Sequence, residues 1–176
     1  MKWLTREQIA KWLSEKGQIE DPYGGNSEPR IRIQFAAPQN YSAVECFVRC
    51  FLQDVVGRGE LLFVVHDAEP SEECQRYIHA ALRSSDGEGR PAAEAPGRLI
   101  HEGEKETGIA LFSLMSCFGW KCYLYSERDQ ITLYNWEGDI FDFWTSSEAP
   151  RKALMEILQS FGLEEIIAPI RTTDTQ

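Results

Sequence analysis

Residues 123–144 constrain the fold most, because aromatic and aliphatic side chains alternate there with polar or acidic ones. An alternation of period two places successive side chains on opposite faces of a β-strand. Three runs of this kind occur, at residues 120–125, 131–136 and 140–144, separated by turn segments at 126–129 and 137–139. Gly138 in the second turn can adopt a positive φ without steric cost. The pattern predicts an antiparallel three-strand meander with acidic side chains on one face.

The rest of the chain predicts helices and strands that belong to the same domain. Between residues 44 and 55 apolar side chains recur at the spacing of an amphipathic helix, and residues 61–65 form an apolar run of strand length. The predicted elements before the meander are helix 5–16, strand 31–35, helix 44–55, strand 61–65, helix 70–82 and helix 109–118, and a last helix spans 147–161. This order, αβαβααβββα, predicts an α+β fold in which helices flank a mixed sheet.

The domain boundaries follow from length and from the loop composition. A chain of 176 residues is long enough to bury one sizeable core, so we expect a single α+β domain over residues 1–171 with a frayed tail at 172–176. Residues 84–97 contain three Gly and two Pro, and we interpret them as a loop within this domain.

The chain is acidic, with a formal net charge of −10. Residues 1–90 carry 11 basic and 14 acidic side chains, whereas residues 91–176 carry 7 and 14, so the C-terminal half is the more acidic. A surface of this sign repels phosphate backbones and attracts cationic proteins. The composition therefore disfavours nucleic acid as a partner and favours a basic protein. The alternative is that the acidity only confers solubility.

Cysteine usage and hydropathy bear on the compartment. The five cysteines form no C-x-x-C pair, and an odd number without a secretory leader is typical of free thiols in a reducing cytosol. The longest strongly apolar run, residues 109–120, has 12 residues, which is too short for a bilayer that needs about 20. We expect a cytoplasmic protein that does not bind membranes.

His66 and Asp67 are the weak candidates for catalysis. They directly follow the predicted strand at 61–65, and ligands in open α/β sheets bind at the carboxyl ends of strands. Adjacent residues of a strand point to opposite faces, which makes a bond between the two side chains awkward. The alternative is that both residues are polar turn formers. No spacing of His, Cys and carboxylates indicates a metal site, and no glycine-rich loop indicates a nucleotide, so we expect no cofactor.

The meander supplies the candidate binding residues. If Phe141 and Phe143 face the core, the opposite face of the last strand should be exposed. The predicted binding surface then comprises Trp136, Glu137, Asp139, Asp142 and Trp144. Aromatic side chains anchor many interfaces, and acids beside them select a basic partner. The alternative is that a helix and a loop cover the two faces of this strand and that the acids only solvate the turn.

A set of segments is distributed over about residues 60–145. They are the strand at 61–65, Pro70-Ser71 before a helix with Tyr77 and Leu82-Arg83, the segment 94–99, Phe118-Gly119-Trp120 and the segment 140–143. Together they resemble a family of uncharacterised bacterial proteins, although this chain has Glu73-Cys74 after the Pro-Ser pair. The resemblance implies no activity, ligand or catalytic residue. The acidic α+β character is also similar to that of immunity proteins, which cover basic bacterial toxins, but this analogy includes no shared motif.

Three functions remain from the sequence. The first is a non-enzymatic binding module, an immunity-type inhibitor of a cationic partner that uses the meander surface. The second is a small hydrolase with its site near His66 and Asp67. The third is a structural homodimer in which the meander is a sheet edge that pairs with its own copy.

Overall fold

The computed structural model describes residues 2–23, 31–66 and 73–166, which form seven strands and five α-helices. The strands are β1 (Trp3–Leu4), β2 (Ile31–Ala36), β3 (Leu61–Val65), β4 (Gly97–Ile100), β5 (Cys122–Ser126), β6 (Thr132–Trp136) and β7 (Ile140–Thr145). The helices are α1 (Arg6–Glu15), α2 (Tyr41–Cys50), α3 (Glu73–Ser85), α4 (Lys105–Cys117) and α5 (Glu148–Phe161). A π-helical segment, Phe51–Val56, continues α2, and a 3-10 turn, Glu102–Glu104, precedes α4.

The seven strands form one sheet in the order β1-β4-β3-β5-β6-β7-β2. The α+β class, the single domain and the C-terminal meander are confirmed. The expected mixed sheet is wrong, because every strand pairing in the described part of the sheet is antiparallel. The meander lies between β2 and β3, and these two strands therefore never pair. The sequence pattern does not predict β1 and β4, because strands of two and four residues are too short to display a period.

One face of the sheet is covered by α2, the π-helical segment, α4 and α5, and the main core lies between these layers. Phe141 in β7 packs edge-on against Phe112 in α4, with ring centroids 5.5 Å apart. Phe143 packs in the same way against Phe51, at 6.0 Å. Fully burying a side chain of this size contributes roughly 1.5–3 kcal/mol, so the phenylalanines of the meander hold the helices on this face.

The opposite face of the sheet carries α1. The predicted capping box is present: the Gln8 amide N–H donates to the Thr5 hydroxyl, and the Thr5 N–H donates to the Gln8 side chain. Ile9 lies directly over β4, since a Cβ on Gly97 would be 2.7 Å from its side chain. A helix is roughly 10 Å across and neighbouring strands are roughly 4.8 Å apart, so α1 covers about two strands. Segments other than α1 must therefore cover much of this second face of the sheet.

The meander is internal, since β7 pairs with both β6 and β2. The edge strand on this side is β2, and the C-terminal segment contacts its outer side. Phe35 forms an isolated bridge with Glu165, and the Ile166 N–H donates to the Gln34 carbonyl at 2.6 Å. The interpretation of the meander as a free edge for homodimer formation is wrong, because the topology places strands on both of its sides. A homodimer formed by another surface stays a prediction.

A buried histidine joins α3 to the sheet. The His79 ring lies edge-on to Trp3 and Trp120, with centroids 5.8 and 5.3 Å away, and only 4% of the residue is exposed. Its Nε2 atom is buried without a hydrogen-bond partner in the described residues. Burial, together with the nearby Arg83 guanidinium, lowers the pKa of His79 to about 4. The neutral imidazole is therefore the form that the fold accommodates.

We expect His79 to make the protein less stable as the pH falls from about 6.5 towards about 4. The unfolded chain takes up a proton on this side chain near its ordinary pKa, whereas the folded chain does so only near pH 4. Between about pH 7.5 and about pH 5, wild type should lose about 2 kcal/mol more unfolding free energy than His79→Phe. Urea unfolding at the two pH values measures the difference. Equal losses in the two proteins would show that His79 does not titrate on unfolding.

Candidate functional site

The second face of the sheet is aromatic along the meander. Side chains two residues apart on β5 and β6 point to this face: Tyr123 and Tyr125 on β5, and Tyr134 and Trp136 on β6. Tyr123 and Tyr134 are paired across the two strands, and their rings stack with centroids 4.2 Å apart. Tyr125 stacks on Tyr123 at 5.4 Å. The alternation that predicts the strands therefore also assembles a continuous tyrosine surface.

The segment 18–23, which follows α1, lies over this surface and is called the strap below. The Gln18 side-chain amide donates to the carbonyl of Ser126 at the end of β5. The Tyr125 hydroxyl donates to the Glu20 carbonyl at 2.8 Å. The Tyr23 ring closes the strap, edge-on to Trp144 at 4.9 Å. Hydrogen bonds and ring contacts thus hold the strap against β5, β6 and β7.

The Asp142 carboxylate is buried beneath Tyr23 and has no solvent exposure. The Arg32 guanidinium donates to Asp142 Oδ1 from Nε at 3.0 Å and from Nη2 at 2.9 Å. The Gln34 amide donates to Oδ2 at 3.2 Å. The Trp136 indole N–H and the Tyr23 hydroxyl also donate to Oδ2. A buried charge is tolerated when donors neutralise it, and here the donors come from β2, β6 and the strap.

An open cleft of about 620 Å³ remains between α1 and the strap and is called the aromatic cleft. Its floor is formed by the strands, one side by α1 and the other by the strap. The lining residues used below are Arg6, Ile9 and Leu13 from α1, Glu20, Asp21 and Tyr23 from the strap, and Val64, His66, Lys121, Tyr123, Tyr125, Tyr134 and Trp136 from the sheet and its ends. A cleft of this volume with an aromatic lining and a few polar groups is typical of small-molecule sites.

The hydroxyls of Tyr123 and Tyr23 remain protonated at ordinary pH. Burial raises the pKa of Tyr123 well above its usual value, and the neighbouring Tyr134 and the Asp21 and Asp142 carboxylates raise it further. The pKa of Tyr23 is raised as well, by burial first and then by its bond to Asp142. These side chains can donate hydrogen bonds but do not supply phenolate nucleophiles.

The predicted binding surface is only partly exposed. Glu137 and Asp139 are exposed and Trp136 is half-buried, but Asp142 is 0% and Trp144 3% exposed. The expectation that Asp142 and Trp144 are exposed together is wrong, because the strap covers this face of β7. The alternative prediction, in which a helix covers one face of this strand and a loop the other, describes the observed burial, and the loop is the strap.

His66 is exposed and lies at the end of the aromatic cleft where β3 ends and β5 begins, called the open end below. Its backbone N–H donates to the Lys121 carbonyl at 2.9 Å, and its ring is edge-on to Tyr123 at 5.8 Å and to Tyr134 at 6.4 Å. Asp67 lies outside the described residues. Among the described residues that line the cleft there is no Ser, Thr or Cys, so no hydroxyl or thiol nucleophile of these types is present beside His66. The hydrolase stays a prediction without an observed nucleophile.

The described residues contain neither a metal-binding cluster nor a membrane-spanning helix. Within residues 2–23, 31–66 and 73–166, no group of three or more His, Cys, Asp or Glu side chains could hold a metal ion. No helix in the described part of the chain is long and apolar enough to cross a membrane.

Sequence reasoning missed the tyrosines and the donors to Asp142. A usable signal existed, because Tyr123, Tyr125 and the pair Tyr134 and Trp136 each follow period two and therefore share a face within their strand. That pattern does not predict which residues of β2 and of the strap lie beside each of these strands.

No known protein family, curated protein or solved structure matches this chain.

We expect Asp142→Ala to destabilise the protein by about 2–3 kcal/mol. The substitution removes the acceptor of the Tyr23 hydroxyl and leaves the Trp136 indole N–H only the Tyr23 oxygen, 2.8 Å away, whereas the partly exposed Arg32 can be hydrated. Chemical denaturation measures the loss. Asp139→Ala is the matched control, because its exposed side chain should contribute less than about 0.5 kcal/mol. Equal effects of the two substitutions would refute the stabilising role of the buried carboxylate.

Proposed function

We propose that this protein binds a small organic ligand with a flat ring in the aromatic cleft. The observation that carries the proposal is the open space of about 620 Å³ over the tyrosines of β5 and β6. The cleft is on the face of the sheet that α1 and the strap cover incompletely. Among the described helices, those of the main core pack on the other face and leave this space free.

The lining favours a ring over a flexible chain. Ile9 and Leu13 provide an apolar wall, and Tyr123, Tyr134 and Trp136 provide aromatic edges and faces. Aromatic pairs in offset or edge-to-face geometry gain about 0.5–1.5 kcal/mol beyond the burial of their area. The rings are held by one another and by the strap, so a ligand need not order them on binding.

A neutral two-ring compound, 2-naphthol, should bind with a dissociation constant of about 0.1–1 mM, as expected for a ligand of this size. Val64→Trp should weaken this binding at least about tenfold, because the half-buried Val64 lines the cleft and the indole would fill it. Isothermal titration calorimetry measures both constants. Ala81→Trp, at an exposed position of α3, is the control and should bind as wild type does.

Thermal unfolding should first show that both variants fold, so that a change in affinity reports on the cleft. Unaltered binding in Val64→Trp would place the ligand elsewhere and contradict the proposal. Absence of binding in wild type at millimolar ligand would contradict it as well.

A cationic protein is the second candidate partner, and the surface proposed for it is the turn between β6 and β7, which is smaller than the surface predicted from the sequence. Glu137 and Asp139 are exposed at the tight turn between β6 and β7, beside an open depression of about 810 Å³ that also contains the exposed Tyr41. This turn is closely packed, since a Cβ on Gly138 would lie 2.2 Å from the Ser116 carbonyl oxygen. A rigid acidic turn beside an exposed aromatic ring supports recognition of a basic chain.

Charge reversal at this turn should abolish binding of a basic chain. The double variant Glu137→Lys with Asp139→Lys should lose affinity for a lysine-rich peptide at low ionic strength, measured by fluorescence anisotropy. The control is Glu7→Lys with Glu148→Lys, which makes the same change in net charge at exposed positions of α1 and α5. If the two variants lose affinity equally, the attraction depends on net charge and the turn is not the site.

A further inference from the structure

Basic side chains from three parts of the chain line the open end of the aromatic cleft. Arg6 is the first residue of α1, His66 follows β3, and Lys121 precedes β5. The register places them at the same end of the sheet. The His66 N–H donates to the Lys121 carbonyl at 2.9 Å, and Leu4, two residues before Arg6, pairs with the first residue of β4.

Two of these groups make no hydrogen bond or ion pair within residues 2–23, 31–66 and 73–166. They are the Arg6 guanidinium and the His66 imidazole, whereas the Lys121 ammonium is 3.0 Å from a Glu137 carboxylate oxygen. Arg6 is also in the first turn of α1, where the positive end of the helix dipole disfavours a cation. An anion at this end of the cleft would relieve that repulsion and accept hydrogen bonds from both side chains.

Acidic groups border a different part of the cleft. Glu20 and Asp21 are on the strap, and Tyr125 holds the Glu20 carbonyl over the middle of β5. Lys121 precedes β5 and is four residues from Tyr125, a distance of roughly 13 Å along a strand. The Asp142 carboxylate is beneath Tyr23 and is neutralised by Arg32. The three basic side chains therefore lie at the open end, where Lys121 is paired with Glu137, and the strap places Glu20 towards the middle of β5 and Asp21 nearer Tyr123.

This separation of charge orients a ligand that carries one negative group. The acids of the strap repel the group, and the basic end attracts it. The ring then lies towards the tyrosines, Ile9 and Leu13. A positively charged ligand would have to place its charge near Glu20 and Asp21, which are exposed on the strap.

We propose that the ligand of the aromatic cleft is a planar organic carboxylate, whose carboxylate is bound by Arg6 and His66 at the open end beside Lys121. This proposal depends on the proposed function, because it specifies the chemistry of a ligand for the same cleft. Arg6 provides a planar donor pair that matches a carboxylate, and His66 provides a single ring N–H.

Three probes with the same ring separate charge from ring binding. They are 2-naphthylacetate, its neutral amide, and 2-naphthylethylamine, titrated calorimetrically into the full chain at neutral pH. We expect the carboxylate to bind about tenfold more tightly than the amide, and the amine more weakly than the amide. The ratio of the carboxylate to the amide affinity should fall to about one in Arg6→Gln and should decrease in His66→Gln.

Lys11→Gln is the matched control on α1. Its ammonium is paired with Glu15, and it does not line the cleft, so the affinity ratio should remain that of wild type. Charge loss at Lys11 that lowers the ratio as much as charge loss at Arg6 would contradict a local contact.

The outcomes distinguish this proposal from the proposed function. Equal affinity of the carboxylate and the amide would overturn the carboxylate proposal and leave ring binding intact. Tightest binding of the amine would also overturn it, because the acids of the strap would then dominate. If none of the three probes binds, the ring-binding function itself is wrong, and the carboxylate proposal falls with it.

Discussion

The Asp142 carboxylate is a charge without solvent exposure, and the need to neutralise it organises the second face of the sheet. Arg32 and Gln34 on β2, Trp136 on β6 and Tyr23 on the strap all donate to it. The donors come from three segments that are distant in sequence or lie on different strands. The carboxylate therefore joins the edge strand, the meander and the strap into one unit, and a buried charge left without these donors would cost several kcal/mol.

The unequal cover of the two faces explains why a cleft exists at all. The helices of the main core fill one face with phenylalanine and aliphatic side chains. On the other face, a ten-residue α1 is too narrow for seven strands, and the strap adds only a few residues. The tyrosines of β5 and β6 close most of the remaining surface by stacking on one another. The space that remains is the aromatic cleft, which has His66 at its open end.

The polar groups of the aromatic cleft are hydrogen-bond donors and charges of both signs. The Tyr123 and Tyr23 hydroxyls have raised pKa values and can donate hydrogen bonds, and His66 has aromatic rings beside it. The polar groups differ along the cleft, with Arg6 at one end and Glu20 on the strap. A site of this kind gains affinity from preformed aromatic contacts and gains orientation from charge, which are the two properties that the proposals assign to it.

The sequence by itself determined the local elements, because hydrophobic periodicity and capping act over a few residues. The period of two predicted the meander, the 3.6-residue period predicted α2 and α5, and Thr5 with Gln8 predicted the start of α1. Of the candidate site residues, the sequence predicted the strand that ends directly before His66, whereas Asp142 and Trp144 were expected at the surface. Only the tertiary structure decided their burial, the antiparallel strand order and the cleft. These features depend on which distant segments meet. Arg32 lies beside Asp142 because β2 pairs with β7, and Tyr23 lies over β7 because the strap crosses this face; both contacts span more than a hundred residues, which no local pattern encodes.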